Sequence, residues 1–344
     1  MESIRRPPDE IPDATEPLRE AARWLGEGAG VSLATVVSTW GSSPRPAGSQ
    51  LAVREGGDFV GSVSGGCVEG AVVEQALQVM ESGVSELLSF GVTDEMAWEV
   101  GLACGGPVRI QVERFADRET LAALLAAREA REPRVWLCWL DAARRRLLAP
   151  GDLSGLEAEV GDAAREALRS DSARSIESAE GPVFVQPLNP PLRLVVVGAV
   201  HIAQHLAAMA RGAGYAVTVV DPRGAFASET RFPGVALSRA WPEAALAEIG
   251  LDARSALVTL SHDPKIDEPA LEAGLASGAF YVGSLGSRRT HARRLERLRD
   301  RGLDDEALAR IYAPVGLDIG ARSPAEIAVS ILAQITEVLR ARPA

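Results

Sequence analysis

The sequence predicts an α/β protein, with a mixed α/β domain at the N-terminus and a Rossmann-like domain with a doubly wound parallel sheet at the C-terminus. With 344 residues, of which 47% are hydrophobic, the chain is long enough to build two cores. Beyond residue 191, β-branched strands alternate with helical segments, which is typical of a parallel sheet covered by helices. Pro187, Pro190 and Pro191 interrupt the chain just before this alternation and predict the domain boundary.

Composition narrows the class of protein. The net charge of −11 argues against nucleic acid as a partner, because the phosphate backbone is itself negative. Residues 1–17 are polar and proline-rich, so we expect no signal peptide. Eighteen apolar residues never occur in succession, so we also expect no membrane span and a cytoplasmic location. The three cysteines form no CxxC pair, which fits a reducing compartment and gives no structural zinc site.

The N-terminal domain is predicted to span residues 16–115, after a disordered tail at 1–15. Helical periodicity, alternation and turn residues each predict elements in this stretch. The predicted helices are 16–27 and 67–82, and the predicted strands are 31–40, 50–54, 58–63, 85–90 and 108–115.

Residues 116–190 are predicted to be a connecting α/β segment. They contain two helical runs and strands at 135–140 and 181–186. Cys138 lies within the first of these strands and is expected to be a buried small hydrophobic residue without a chemical role.

The C-terminal domain is predicted to span residues 191–344. Its continuous β-branched strands are of the kind buried on both faces of a parallel sheet. The predicted strands are 192–197, 216–220, 256–260 and 280–282, and the predicted helices include 201–211 and 323–340. Ser323, Pro324 and Glu326 form the start signal of the last helix.

Cys67 ends a glycine and serine loop that leads into a predicted helix. Small residues there are expected to leave backbone N–H groups uncovered at the helix N-terminus, where anions are favoured and a thiol pKa is depressed. A tight turn without chemistry is the competing interpretation. Cys104, beside Gly105 and Gly106, is a second candidate thiol. The candidate binding residues of the first loop are Ser64, Gly65, Gly66 and Glu69.

The turn that begins at Gly198 lies where a dinucleotide-binding domain carries its glycine fingerprint. Gly198 matches the first glycine, but Val200 occupies the place of the second, where a side chain obstructs the pyrophosphate. Asp221 is placed to meet a ribose hydroxyl, and Arg223 a phosphate. NAD(P) binding and a Rossmann-like domain kept for packing or protein contact both remain open.

The carboxyl ends of the parallel strands bring further polar residues to one predicted ligand edge. His201 and His205 have the spacing of a metal pair, but they lack the HExxH glutamate and a third ligand, so a polar contact at the helix start is the simpler interpretation. The arginine run from Arg288 is either a solvated helix face or the start of a phosphate contact. The other candidates at this edge are His262, Gly283, Gly286, Ser287 and Arg288.

Five separated blocks of the sequence resemble the xanthine dehydrogenase accessory proteins of the XdhC/CoxI family. They occur in the order of the family, from a loop with Arg45 through the two cysteine loops to two C-terminal stretches. The blocks are residues 41–48, 61–70, 102–107, 281–289 and 313–328.

The resemblance implies an accessory protein that binds the molybdenum cofactor (molybdopterin), supports its sulfuration and delivers it to a molybdenum hydroxylase of the xanthine dehydrogenase or carbon monoxide dehydrogenase type. It also implies a cysteine desulfurase as a partner and a homodimer. Such a protein acts as a chaperone more than as a turnover enzyme, and molybdenum enters only within the cofactor. Cys67 is then the chemically important thiol, with Cys104 and Arg45 beside it.

Two other functions compete with this interpretation. One is an NAD(P)-dependent oxidoreductase that uses the C-terminal domain, which Asp221 favours and Val200 opposes. The other is a non-catalytic scaffold that joins a hydroxylase to a cysteine desulfurase. The common hydrolases and kinases are excluded by the lack of a GxSxG elbow and of a GxxxxGK[ST] loop.

Overall fold

The computed structural model describes residues 16–39, 45–66, 68–91, 107–141 and 144–341. The chain divides into two compact units between Pro190 and Pro191. None of the helices in the described ranges is long and apolar enough to cross a bilayer.

The first unit contains a five-stranded antiparallel sheet. Its strands are β1 (Val31–Thr39), β2 (Gln50–Arg54), β3 (Phe59–Gly61), β4 (Glu86–Phe90) and β5 (Val108–Phe115). They lie in the order β3-β2-β1-β5-β4. The central strand is therefore β1, which explains the continuous apolar run that predicted it.

Helices cover both faces of this sheet. On one face, Leu33 of β1 lies in a core with residues of α1 (Glu16–Gly26) and α3 (Arg118–Glu129). On the other, Ala34 contacts the apolar side of α2 (Glu69–Ser82). Because alternate residues of β1 face opposite cores, both of its faces are buried.

The first unit also contains a four-stranded sheet, with helix α4 (Ala158–Ser170) against it. Its strands are β6 (Arg134–Trp139), β7 (Arg144–Leu148), β8 (Arg174–Ser178) and β9 (Gly181–Leu188), in the order β7-β6-β9-β8. We predicted strands only near β6 and β9. The strands β7 and β8 alternate exposed and partly buried side chains, and their arginines and serines hid them from the sequence analysis.

The second unit contains a six-stranded, wholly parallel sheet. Its strands are β10 (Arg193–Val197), β11 (Ala216–Val220), β12 (Ala236–Ser238), β13 (Ser255–Thr259), β14 (Tyr281–Ser284) and β15 (Ile311–Tyr312). They lie in the order β12-β11-β10-β13-β14-β15. This order confirms the predicted doubly wound, Rossmann-like fold.

Helices pack on both faces of the parallel sheet. They are α5 (His201–Gly212), α6 (Pro242–Ile249), α7 (Pro264–Ala276), α8 (Arg288–Asp300), α9 (Asp305–Ala309) and α10 (Pro324–Arg340). Val196 belongs to the core with α5 and α10, and Val195 belongs to the core with α6 and α7. The strand order reverses between β10 and β13, so the loops that follow these strands form the edge where ligands bind in such folds.

Candidate functional site

The carboxylate of Glu69, in the first turn of α2, is the centre of the glycine and serine loop. It is buried, with 8% of its surface exposed, and it accepts six hydrogen bonds from the preceding residues. The donors are the amides of Val63, Ser64, Gly65 and Gly66 and the hydroxyls of Ser62 and Ser64.

These contacts correct one expectation. We predicted that the N–H groups of this loop are uncovered and available to an external anion, but the chain supplies its own anion to four of them. Burial by itself raises the pKa of the Glu69 carboxyl, but the hydrogen bonds from Ser64 and Ser62 outweigh burial and lower this pKa to about 2. Glu69 is therefore ionised at neutral pH and holds the loop in place.

The loop nevertheless presents an open surface. Gly65 and Gly66 are exposed and have positive φ angles of 88° and 118°, and a Cβ added to Gly66 meets no atom within 4 Å. Arg45 lies against the same loop, where its Nε donates to the Ser62 carbonyl at 3.1 Å. Within the described residues, the space above Gly66 is therefore open.

Four candidate residues fall outside the described residues: Cys67, Cys104, Gly105 and Gly106. Helix α2 begins at Glu69, two residues after the predicted start. Cys67 therefore stands in the sequence between Gly66, whose amide donates to Glu69, and Val68, the residue before the helix.

Cys138 is the one cysteine within the described residues. Burial raises the pKa of its thiol, and the nearby carboxylate of Glu113 raises it further. Its neutral thiol is thus a poor nucleophile, in keeping with the structural role expected from the sequence.

Gly198 makes the turn after β10 possible. Its φ is 104°, and a Cβ at this position would lie 2.6 Å from the backbone nitrogen of Ser261, which follows β13. Glycine therefore lets the ends of β10 and β13 approach closely. Val200 follows in extended conformation, directly before α5.

Asp221 is not available to a ribose hydroxyl. Its side chain is fully buried, and its oxygens accept the amide of Ala199 at 2.7 Å, the amide and Nε of Arg223 at 2.9 Å, and Nη2 of Arg223 at 2.7 Å. Burial raises the pKa of this carboxyl, but the hydrogen bonds from Arg223 and Ala199 outweigh burial and lower it. Both oxygens of Asp221 are thus occupied by groups of the chain itself, and the NAD(P)-dependent interpretation has no support.

The loop after β13 is held by Asp267 of α7, a buried residue that we did not identify from the sequence. Its carboxylate accepts the amide and hydroxyl of Ser261 and the amide of His262 at 2.7–3.2 Å. His262 is exposed and has a positive φ of 62°. A non-glycine residue in this conformation is uncommon, and Asp267 supplies the contacts that maintain it.

His201 and His205 lie on one face of α5, as predicted, and their rings stack at 5.2 Å. Within the described ranges, no cluster of three metal-ligating side chains is found. The described residues therefore offer this histidine pair no third metal ligand.

The candidate residues in and after β14 lie in different environments. Gly283 is buried inside the strand, where a Cβ would lie 2.7 Å from side-chain atoms of Tyr281 and Val315, so its role is in packing. Gly286 has a φ of 141° and forms the turn to α8, and Ser287 is the N-cap of that helix. Arg288 is exposed in the first turn.

The arginine run that follows is not one solvated face. Arg294 is only 3% exposed. Arg297, near the end of the helix, pairs with Glu268 at 2.6 Å, and Arg301, directly after the helix, pairs with Glu272 at 2.8 Å. Helical spacing alone could have shown that Arg294 and Arg288 lie on different faces of α8, but it could not show that an arginine would be the buried residue.

Family models and solved structures support this architecture. The model of the XdhC Rossmann domain matches residues 194–335, and the model of the XdhC and CoxI family matches residues 24–91. A Bacillus halodurans crystal structure described as a xanthine dehydrogenase aligns with a TM-score of 0.74 and 22% identity, covering 95% of this chain and 96% of that one. At this identity the alignment shows a common fold.

Two relatives align over almost the whole sequence. The molybdenum cofactor insertion chaperone PaoD of Escherichia coli is 31% identical over 322 residues, which cover 93% of this chain and 87% of that protein. A Bacillus subtilis protein named as a probable xanthine dehydrogenase subunit is 28% identical, with 89% of this chain and 92% of that protein covered.

Proposed function

Since this chain belongs to the XdhC and CoxI family, we propose that it is a molybdenum cofactor chaperone. In this proposal it binds the molybdenum cofactor, supports its sulfuration and delivers it to a molybdenum hydroxylase of the xanthine dehydrogenase or carbon monoxide dehydrogenase type. When bound, the cofactor supplies the metal centre on which such a hydroxylase performs its redox chemistry.

The alignment with the E. coli insertion chaperone is the observation that carries the proposal. It extends over 93% of the chain, so it includes both the loop before Cys67 and the Rossmann-like unit. The name of the B. subtilis relative points to the same class of client enzyme.

The proposal also rests on the loop around Glu69, which has the cation of Arg45 against it and the thiol of Cys67 directly after it in the sequence. Gly65 and Gly66 are exposed, a Cβ added at Gly66 would meet no described atom within 4 Å, and Cys67 is the next residue. A thiolate is a ligand that suits soft metals and sulfur chemistry. Glu69 holds the loop and does not itself present a free oxygen, so we assign it a positioning role.

We propose that Cys67 is the thiol that supports sulfuration and that Cys104 assists it. The Cys67 thiolate attacks the outer sulfur of a persulfide on a cysteine desulfurase, so that a new S–S bond forms on Cys67 and the desulfurase leaves as a thiolate. Cys138 is an unsuitable acceptor because burial raises the pKa of its thiol. The desulfurase partner, a homodimer and a cytoplasmic location belong to the proposal.

The experiment is reconstitution of a hydroxylase that lacks its cofactor, with purified molybdenum cofactor, in the presence and absence of the full chain. We expect the chain to raise the yield of active hydroxylase and the Cys67→Ser variant to lose most of this effect. A Cys138→Ala variant is the matched control and should behave as the wild type. Equal yields with and without the chain would contradict the chaperone function, and full activity of Cys67→Ser would favour a scaffold.

A further inference from the structure

We propose that the turn between β14 and α8 binds a phosphate monoester, which, if the proposed function is right, is the terminal phosphate of the molybdenum cofactor. The turn comprises Leu285, Gly286 and Ser287, and it lies at the carboxyl edge of the parallel sheet. The site combines the N-terminus of a 13-residue helix with a buried arginine that has an unsatisfied nitrogen.

The backbone of the turn is firmly held. The amide of Leu285 donates to the carbonyl of Thr259 at 2.9 Å, and the hydroxyls of Thr259 and Ser284 share a buried hydrogen bond of 2.6 Å. Ser287 caps α8 by accepting the amide of Thr290 at 3.2 Å. The first amides of a helix have no partner within the helix, so those of Arg288 and Arg289 are donors for an external anion.

Arg294 is the second, independent observation. It is only 3% exposed, and its Nη2 donates to the carbonyl of Leu285 at 2.8 Å. The same Nη2 would lie 3.5 Å from a Cβ added at Gly286, so the guanidinium is directed at the turn itself. Its Nη1 is buried and has no hydrogen-bond partner in the part of the chain that the structure describes. The carboxylates of Asp267 and Glu268 offset part of the charge of this guanidinium, but neither accepts a hydrogen bond from Nη1. An unsatisfied buried donor is costly, and an anion at the turn would supply the missing acceptor.

The distribution of ion pairs along α8 also favours an anion at its start. Toward the end of the helix, Arg297, Arg299 and Arg301 pair with carboxylates. Arg288 and Arg289 are exposed in the first turn and form no ion pair with the described residues. Two cations, two helix amides and a buried guanidinium match the charge and the several oxygens of a phosphate monoester.

A nucleotide is a poorer match to the same edge. Asp221, the residue expected to hold a ribose, is fully buried and bonded to Ala199 and Arg223. Val200 adds a side chain where a pyrophosphate needs close backbone approach. The phosphate is therefore expected to carry no adenosine.

The test is isothermal titration of the full chain with inorganic phosphate and with adenosine monophosphate, at constant ionic strength set with chloride. We expect saturable phosphate binding that is about tenfold weaker in Arg288→Gln, since one charge-assisted contact is lost. Arg294→Lys keeps the charge but loses the planar fork, and it should weaken binding similarly. The matched control is Arg293→Gln, an exposed arginine five residues farther along the same helix than Arg288, which should bind as the wild type.

The outcomes are distinct. Absence of saturable phosphate binding, or equal weakening by Arg293→Gln, would overturn the site. Much tighter binding of adenosine monophosphate than of phosphate would overturn the monoester assignment in favour of a nucleotide. Retention of molybdenum cofactor is measured in parallel: phosphate binding without retention contradicts the proposed function alone, whereas equal retention by Arg288→Gln and wild type contradicts the assignment of this site to the cofactor.

Discussion

The carboxylate of Glu69 accepts hydrogen bonds from both the amide and the hydroxyl of Ser64. Glu69, in the first turn of α2, thus holds the loop that precedes this helix. The loop that ends at Cys67 therefore depends on one internal carboxylate for its conformation, and it needs no bound anion to form.

We expect Glu69→Gln to lower the free energy of unfolding by about 2 kcal/mol at neutral pH, because a buried acceptor of charge-assisted hydrogen bonds is replaced by a neutral amide. The pKa of Glu69 in the folded protein, about 2, lies below the ordinary value of 4.5. Its stabilisation is therefore complete above about pH 5 and is lost as the pH falls toward 2.

Urea unfolding of wild type and Glu69→Gln between pH 7 and pH 3 measures this difference. The two stabilities should converge as the pH falls. Glu74→Gln, an exposed change on the same helix, serves as the control and should leave stability unchanged at each pH. A constant difference between wild type and Glu69→Gln across this range would show that the charge of Glu69 does not hold the loop.

Gly198→Ala is expected to destabilise the protein by about 3 kcal/mol, because the new Cβ would lie 2.6 Å from the backbone of Ser261 at a positive φ. Gly214→Ala is the matched comparison, since Gly214 also has a positive φ of 85° but no atom within 4 Å of its added Cβ. This second change should cost about 1 kcal/mol. Thermal unfolding of both variants would reveal whether close approach or backbone conformation dominates, and equal losses would argue against close approach.

The wild-type protein should not bind NADH or NADPH, because both oxygens of Asp221 are already occupied. Titration followed by nicotinamide fluorescence is the measurement. Saturable binding that disappears in Asp221→Asn would contradict our structural assignment of this residue.

Cys138 should resist alkylation in the native protein at pH 8, since burial, and then the charge of Glu113, raise the pKa of its thiol. Mass spectrometry after brief iodoacetamide treatment would locate the modified cysteines, with a urea-unfolded sample as the positive control. Rapid labelling of Cys138 in the native sample would show that its thiol is accessible.

The sequence predicted the Rossmann-like unit well because its strands are continuous β-branched runs, a pattern that buried parallel strands require. β1 was predicted for the same reason, since both of its faces are covered. By contrast, β7 and β8 lie in a sheet with exposed positions, and their polar residues carry little periodic signal.

The sequence identified the loops that carry the candidate site residues, and their function there stays a prediction. Spacing placed Glu69 and Asp221 beside glycine-containing turns, but it could not reveal that each carboxylate accepts hydrogen bonds from nearby amides and side chains. The burial of Asp267 and Arg294 was not predicted, because both are charged residues on helices and sequence patterns assign such residues to solvent. Their burial arises from tertiary packing against the loops that they hold.

The most direct test of the chaperone function is anaerobic titration of the purified full chain with molybdenum cofactor, followed by desalting and molybdenum analysis. Wild type, Cys67→Ser and the control Cys138→Ala are compared. We predict stoichiometric retention of molybdenum by wild type and Cys138→Ala, and loss of retention in Cys67→Ser. Absence of retention by all three, under conditions in which a known cofactor carrier retains molybdenum, would contradict the account.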